Sequence, residues 1–470
     1  MTEELFDAVV IGAGISGLTL AHSLQRRGRS VAVLESAAQA GGVIATVRRD
    51  GALYERGPNS TLDTSPRIGE LLDEIGIGDE RANASDVASL RYIVRGGRLR
   101  ALPTSPATFA TTDAFTPGAK LRLLREPFIA PTPAGVEESI AAFVRRRLGR
   151  EFLDYAIDPF VAGIYAGDPE RISVAAAFPK LLALEQKYGS LIKGQVLGAR
   201  KRRKSRETAK NTAKSFSFRQ GMQALTDAIA TRLPGLECKV RVSNLACDAE
   251  NFVVAGTRDG KAIVRRARSA VLAAPAPAAA AIVAAVAPDA ARALSCIAYA
   301  PIAIIVSAYR REDVGHPLTG FGFLVPKKES RSILGTLFSS SMFAGRAPDD
   351  TVLLTTFAGG RRNPDVMDLP DEGLATRVRS ELADLVGARG TPVWQEIVRW
   401  PQAIPQYDLG HLDLLRDVEA AEAAVPGLFF CANYRGGVSV GDRIERGDAM
   451  AVRIDDHLSR YAPAPADTLT

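Results

Sequence analysis

Cysteine is scarce in this chain of 470 residues: Cys238, Cys247, Cys296 and Cys431 have no CxxC spacing and no histidine nearby. That argues against a thiolate metal cluster, and a reduced setting is the default. Histidine is as rare, and His22, His316, His411 and His457 are too scattered to form a metal-ligand constellation. His22 and His457 are expected on helix surfaces. No secretory signal is legible, because the N-terminus begins Thr2-Glu3-Glu4, acidic where a signal needs positive charge. Only Ala270 to Pro288 approaches membrane length. It is mostly alanine, and Pro275 and Pro277 interrupt it. It reads as a strand over Ala270–Ala274 that turns into an alanine-rich helix, so any membrane contact is expected to be peripheral. Charge of one sign does not dominate either. A net charge of +6 is compatible with an acidic substrate or an anionic surface and demonstrates neither.

What is present begins with size: 470 residues exceed what one hydrophobic core supports, so two or three domains are expected. Apolar content of 46% with 24% charged residues is ordinary for a globular protein. The densest information lies near the start. The apolar run Ala8-Val9-Val10-Ile11 leads into Gly12-Ala13-Gly14-Ile15-Ser16-Gly17. Leu18, Leu20, Ala21 and Leu24 then recur at helical spacing, Gly28 ends the helix, and Ser30–Leu34 reads as a second buried strand closed by Glu35. This is a βαβ unit in which Gly12 permits the tight turn, Gly14 lets backbone approach a pyrophosphate, and Gly17 lets helix and strand pack closely. The helix N-terminus offers free N–H groups and its dipole to the phosphates. Glu35, about twenty residues on, is placed to accept from ribose hydroxyls.

After Glu35 and Ser36 the chain reaches a second glycine pair, Gly41-Gly42, for which an NAD-dependent fold has no use. Here the chain resembles the FAD-containing amine oxidase and phytoene desaturase superfamily, where such a pair carries backbone past the diphosphate and ribose. Glu55-Arg56-Gly57-Pro58-Asn59-Ser60 resembles the segment that runs beside the flavin ring, against the alternative of a simple turn. A second cofactor segment is Ser215–Leu225, an aromatic strand, glycine turn and helix, followed by short strands with Asp259-Gly260 as a hairpin turn. A third is the strand Gly427–Ala432, the turn Asn433–Gly441 and a helix beginning near Asp442. Backbone N–H groups of Val438, Ser439 and Val440 would meet the ribityl chain and O2 edge of a flavin there.

Between these segments, residues 106–214 read as helical, including a helix over Gly135–Leu148 with Val136, Ile140, Phe143, Val144 and Leu148 on one side and Gly149 as its cap. Residues 286–404 alternate as strands. The chain is therefore expected to be α/β: a discontinuous Rossmann-like FAD-binding domain (1–88, 215–285 and 405–462), a mixed-sheet substrate domain (89–105 and 286–404), a helical membrane-associating domain (106–214) and a tail (463–470). The run Arg200-Lys201-Arg202-Arg203-Lys204-Ser205-Arg206 reads first as a solvated loop and second as a contact for anionic lipid. Nucleic acid is not expected, since no nucleic-acid module accompanies it.

Several stretches together are similar to the protoporphyrinogen oxidase family in its bacterial and plastid branch. They are Arg91–Val94, Leu102–Pro106, Asp158–Pro169, Gly320–Pro326, Gly335–Ser340 and Asn433–Val438, in one order along nearly the whole chain. The resemblance implies removal of six electrons from a porphyrinogen in three flavin-linked steps, hydride leaving a bridging methylene and O2 reoxidising the flavin. It places Arg91 against a substrate propionate, Phe321, Leu324 and Phe357 around the tetrapyrrole, with Phe338 as the alternative aromatic wall, and Gly163 where backbone passes close to the reacting rings. It places Val242 beside the adenine and Trp400 near the isoalloxazine. Asn59 sides with the plastid and bacterial members.

FAD is expected to be non-covalent, because the closing turn lacks a nucleophile where amine oxidases carry the linked cysteine. Protoporphyrinogen IX is the favoured substrate. Coproporphyrinogen III is the alternative, since Arg95, Arg98 and Arg100 could serve extra carboxylates. Two rivals are another oxidase of the superfamily and a non-catalytic, escort-like binder. A cytoplasmic location on the membrane face is expected, and a homodimer is left open.

Overall fold

A computed structural model describes residues 4–133, 135–202, 213–248 and 251–460. Along the chain, β1 (Leu5–Ile11), α1 (Ile15–Arg26) and β2 (Val31–Leu34) form the opening βαβ unit. Next come β3 (Arg91–Arg95) and β4 (Arg98–Ala101), then, within a helical stretch, α2 (Asp158–Tyr165) and α3 (Leu191–Arg202). The chain continues through β5 (Leu236–Glu237), β6 (Val240–Cys247), β7 (Phe252–Arg258) and β8 (Lys261–Leu272). Four further strands follow: β9 (Tyr299–Arg310), β10 (Gly322–Leu324), β11 (Ile333–Phe338) and β12 (Thr351–Gly359). The last part holds α4 (Asp371–Val386), β13 (Trp394–Pro405), β14 (Leu428–Phe430) and α5 (Val440–Arg460).

Two seven-stranded sheets organise the described residues. The first runs β5-β2-β1-β8-β7-β6, with β14 also paired to β8. Its parallel part reads as apolar runs because both faces are covered. Val10, Val33 and Val271 face α1 and α5 on one side, and Val9, Ala270 and Leu272 face the alanine-rich helix Ala276–Val283 on the other. The alanine-rich segment thus packs in a core, as its prolines foretold. Asp259 and Gly260, at φ +49° and +78°, close the β7–β8 hairpin.

The second sheet runs β13-β9-β12-β11-β10-β3-β4. One face, with Ile305, Phe323, Phe338 and Leu354, is closed by α4 residues Leu374, Val378 and Leu382. The opposite face carries Ile302, Ile304, Phe357 and Trp400, which pack against Tyr54 and against Ala162 of α2. Strands β3 and β4 join this sheet from far upstream through the parallel pairing of Arg91 with Gly322 and Ile93 with Leu324.

The helical layer is pinned by buried charge. Arg147, fully buried, lies 3.0 Å from Glu126 and 2.5 Å from Glu185. Glu126 in turn accepts from the backbone N–H of Leu191 and Ile192 at 2.9 and 3.2 Å, so it caps α3. No helix among the described residues is long and apolar enough to cross a membrane.

Two local expectations need correction. The helix expected over Gly135–Leu148 covers only Ile140–Arg147, because the Ser139 hydroxyl caps it by accepting from Ala142 N–H. Val136 is left exposed ahead of the cap. His22 is buried, 3.4 Å from the Glu74 carboxylate, and His457 is half-buried against Phe429. The last helix begins at Val440, near Asp442 as expected. Of the basic run, Arg200 to Arg202 fall in the backbone of α3, and 203–212 lie outside the described residues.

Candidate functional site

The crevice at the C-terminal ends of β1, β8 and β14 is built from the glycine turn upward. Gly12, at φ +109°, makes the turn out of β1. A Cβ on Gly17 would collide with the Gly12 carbonyl, which is the close helix–strand packing expected of that position. Gly14 is different: a Cβ there would meet no atom within 4 Å. No side chain caps α1 at Gly14, so the first-turn N–H groups face that open space. Gly41 donates its N–H to the Ala13 carbonyl at 2.8 Å, which brings the second glycine pair alongside the first, with Gly42 beside Gly14.

Glu35 braces this turn as well as facing it. Its carboxylate accepts from Ala13 N–H at 2.7 Å and Ala37 N–H at 2.8 Å, with the Ser36 hydroxyl at 3.2 Å. Oε1 takes both the Ala37 and Ser36 bonds, so Oε2, which accepts only from Ala13, keeps a lone pair for a ribose hydroxyl. The Glu35 carbonyl accepts from Val240 N–H at 2.7 Å, which sets β6, and with it Val242, beside the acid.

The loop Gly57-Pro58-Asn59-Ser60 is fastened on both sides. Gly57 lies so close to the Val43 carbonyl that no side chain fits, and Ser60 meets the Ser215 hydroxyl at 2.9 Å. Trp400 Nε1 donates to the Arg56 carbonyl at 2.8 Å, so this tryptophan reaches the loop from the second sheet. The side-chain nitrogen of Asn59 is buried without a partner. Open space before an uncapped helix, a carboxylate at the strand end and an orphaned donor in the loop together fit a flavin dinucleotide.

At the other end of the crevice, the Asn433–Ser439 turn precedes α5. Ser439 and Asp442 cap α5 reciprocally, Asp442 N–H to Ser439 Oγ at 3.2 Å and Ser439 N–H to the Asp442 carboxylate at 3.3 Å. Part of the positive helix end is therefore already satisfied within the chain. Val438 is half-buried and packs against Tyr407 and Tyr165. Cys431 is buried behind the turn, where burial pushes its thiol up to about 11.

Of the expected substrate residues, Arg91, Leu324 and Phe357 share one face of the second sheet. Directly paired residues point the same way, and Leu324 pairs Gly335, which pairs Phe357. Two residues before Ile93 on the same face stands Arg91, whose guanidinium lies 5.2 Å from the Phe321 ring centroid. Gly163 on α2 looks down on Leu324: a Cβ there would stand 3.1 Å from Leu324 Cδ2, so any side chain would displace this wall. Phe338 is fully buried on the opposite face with Phe323 and Tyr92, whereas Phe357 lies on the face of Leu324.

Arg91 has no acid in ion-pair range among the described residues, and neither has Arg98 on the adjoining strand, whereas Arg95 and Arg100 are committed. Arg95 pairs with Glu151 at 2.8 Å and Arg100 pairs with Asp113. The Arg91 side chain is exposed overall, yet the packing around its guanidinium disfavours the charge and lowers its pKa.

Sequence reasoning missed the residues that hold these parts together. Asp158, at the start of α2, pairs with Arg362 at 2.5 Å and accepts from Lys327 N–H at 2.8 Å, which locks α2 over the sheet. Burial, opposed by Arg362, leaves the Asp158 carboxyl above its ordinary range. Glu396 on β13 accepts from Tyr54 and, at 2.8 Å, from Arg56 Nε. Tyr407, Gln406 and His411 lie between the sheet and the closing turn. Lone polar residues carry no periodicity, so nothing in their spacing marks them.

A family model described as flavin-containing amine oxidoreductase matches residues 15–455. Protoporphyrinogen oxidase 2, chloroplastic/mitochondrial, of Arabidopsis thaliana is 34% identical over 476 residues, 96% of this chain and 94% of the plant protein. Coproporphyrinogen III oxidase of Bacillus subtilis (strain 168) is 25% identical over 464 residues, 96% of this chain and 98% of its own. Among solved structures, a protein of Exiguobacterium sp. 255-15 matches with a TM-score of 0.78 at 24% identity, covering 95% and 98% of the two chains. Cyclohexylamine oxidase from Brevibacterium oxydans IH-35A matches with a TM-score of 0.72 at 16% identity, covering 97% and 100%. At these identities the structural likeness is one of fold.

Proposed function

The chain belongs to the flavin-containing amine oxidoreductase family, beside the protoporphyrinogen oxidases, and from that premise we propose that it oxidises a porphyrinogen to a porphyrin, with protoporphyrinogen IX preferred and O2 as the final acceptor. The observation that carries the reading is a sheet face that presents Leu324 and Phe357 beside Arg91, a guanidinium with no acid in ion-pair range and 5.2 Å from the Phe321 ring centroid. A large apolar disc with few carboxylates needs such a surface. FAD, when bound, supplies the two-electron acceptor for hydride leaving a bridging methylene.

The chain's own residues bind and orient. The α1 end and Glu35 hold the dinucleotide, Arg91 takes a propionate as a fork, and Leu324 and Phe357 keep water from the reacting edge. Gly163 keeps its helix thin where the disc must pass.

The preference for two propionates over four rests on Arg95 and Arg100 being paired with Glu151 and Asp113, which leaves Arg91 and Arg98 as the two of these four arginines without an acid in ion-pair range among the described residues. The plant relative's name and its 34% identity, against 25% for the Bacillus protein, support the same choice. Amine oxidation is disfavoured, because Tyr434, the one aromatic of the closing turn, is fully buried and offers no cage beside a flavin. The test is aerobic incubation with protoporphyrinogen IX and with coproporphyrinogen III, following porphyrin fluorescence. Both are expected to react, the first with the higher kcat/KM. A clear preference for the second would overturn the substrate choice, and no porphyrin from either would overturn the function.

We also propose that the protein rests on an anionic membrane surface from the cytoplasmic side. Leu121, Leu124 and Phe128 are 65%, 68% and 86% exposed, and Leu197 on the neighbouring α3 is 57% exposed. Cations stand among them, with Lys193 Nζ 5.9 Å from the Phe128 ring centroid. Apolar insertion and charge would act together. Phe128→Glu with Leu124→Glu should abolish sedimentation with anionic liposomes at low salt while leaving the fold intact. Binding that survives the double change would refute this surface.

A further inference from the structure

We propose that Tyr407 is a positioning residue, whose hydroxyl sets the flavin-side turn Asn433–Ser439 against the helix that carries Gly163. The inference rests on the reading above that this turn holds a flavin. Tyr407 is 1% exposed, and its hydroxyl is used in both directions. It donates to the Asn433 carbonyl at 2.7 Å and accepts from Gly437 N–H at 3.0 Å, so one oxygen closes the glycine turn across its base.

The ring is held as firmly as the hydroxyl. His411 stacks on it with centroids 4.4 Å apart and planes 12° from parallel, and His411 Nε2 lies 2.9 Å from the Tyr434 carbonyl. Three residues of the turn are thus gripped from the segment 406–411.

The same segment grips the substrate side. Gln406, the preceding residue, donates from Nε2 to the carbonyl of Tyr165, the last residue of α2, at 2.8 Å, and its own N–H donates to Ala298 at 2.8 Å. The Tyr407 carbonyl accepts from Ser173 N–H at 2.8 Å, just beyond that helix. Adjacent residues therefore hold opposite walls: one the turn, the other the helix whose Gly163 faces Leu324. The spacing between a flavin and a bound disc is fixed through this dipeptide, although neither side chain touches the reacting atoms.

Tyr407→Phe removes both hydrogen bonds and keeps the stack on His411. Tyr165→Phe is the matched control: its ring is 5.6 Å from that of Tyr407, but its hydroxyl reaches only the Ala177 carbonyl, at 3.4 Å. In Tyr407→Phe, the dissociation constant for FAD should rise about tenfold, because two neutral hydrogen bonds to the turn are lost. The visible circular dichroism of the flavin should change, and its midpoint potential should shift. Tyr165→Phe should leave all three as in the parent. Equal FAD retention and an unchanged spectrum in Tyr407→Phe would overturn the proposal, as would equal changes in both variants. If Tyr407→Phe fails to fold, His411→Phe decides, keeping the stack and losing the bond to Tyr434: an unaltered flavin spectrum there overturns it. None of these readouts needs a porphyrinogen. A protein that binds FAD and oxidises no porphyrinogen would refute the substrate reading and leave this test standing.

Discussion

Gly14→Val is expected to give a folded, colourless protein. Gly14 sits at φ −71° and ψ 174°, extended backbone that any residue adopts, and a Cβ there meets nothing within 4 Å. The chain alone has no reason to object to the side chain. A dinucleotide does, because its diphosphate must come within contact distance of this backbone. FAD affinity should fall at least roughly a hundredfold while the melting temperature of the flavin-free protein stays put. Gly17→Val should behave oppositely, since its Cβ would strike the Gly12 carbonyl and pry α1 from β1. The ratio of visible flavin absorbance to protein absorbance, beside a melt of each variant, checks both. A yellow Gly14→Val would move the cofactor away from this turn.

Arg91→Ala should raise KM for protoporphyrinogen IX by roughly tenfold to a hundredfold, the worth of about 1.5–3 kcal/mol for a charge-assisted hydrogen bond. The turnover number should change little, because a distant propionate is held equally in ground and transition states. Arg91→Lys should fall between, keeping the charge and losing the fork. Arg91 is the informative position because no acid competes for it, whereas removing Arg95 also strands Glu151. Steady-state kinetics of the three proteins decide. A loss of turnover with unchanged KM would place Arg91 at the reacting centre, against the role assigned to it.

The cofactor half of the site was legible because its physics repeats. Glycines at fixed offsets, a strand before them and an acid after them each have one use, and Gly12, Gly14, Gly17 and Glu35 stand where their spacing put them. The substrate half came from the resemblance, and the sheet then brought Arg91, Leu324 and Phe357 onto one face, with Phe321 beside Arg91. Phe338 shows why residue type alone could not choose: two aromatics lie on neighbouring strands, and strand parity, visible only in the pairing register, sends Phe338 into the core. The polar struts escaped altogether. Asp158 reads as a helix-start residue, yet its partner Arg362 lies about two hundred positions downstream. The false helical start at Gly135 is a different kind of miss: the Ser139 hydroxyl caps the helix from within the apolar pattern and stops it there.

The long-range pairings also dictate an order of events during synthesis. β1 lies edge-open on its β8 side until Leu272 has been made, and β3 has no parallel partner until Leu324 emerges. The third strand bordering the crevice, β14, pairs with β8 only when Phe430 exists. Contacts of such separation form slowly and leave strand edges unpaired meanwhile. A nascent chain therefore has no crevice for a dinucleotide until almost its whole length has left the ribosome.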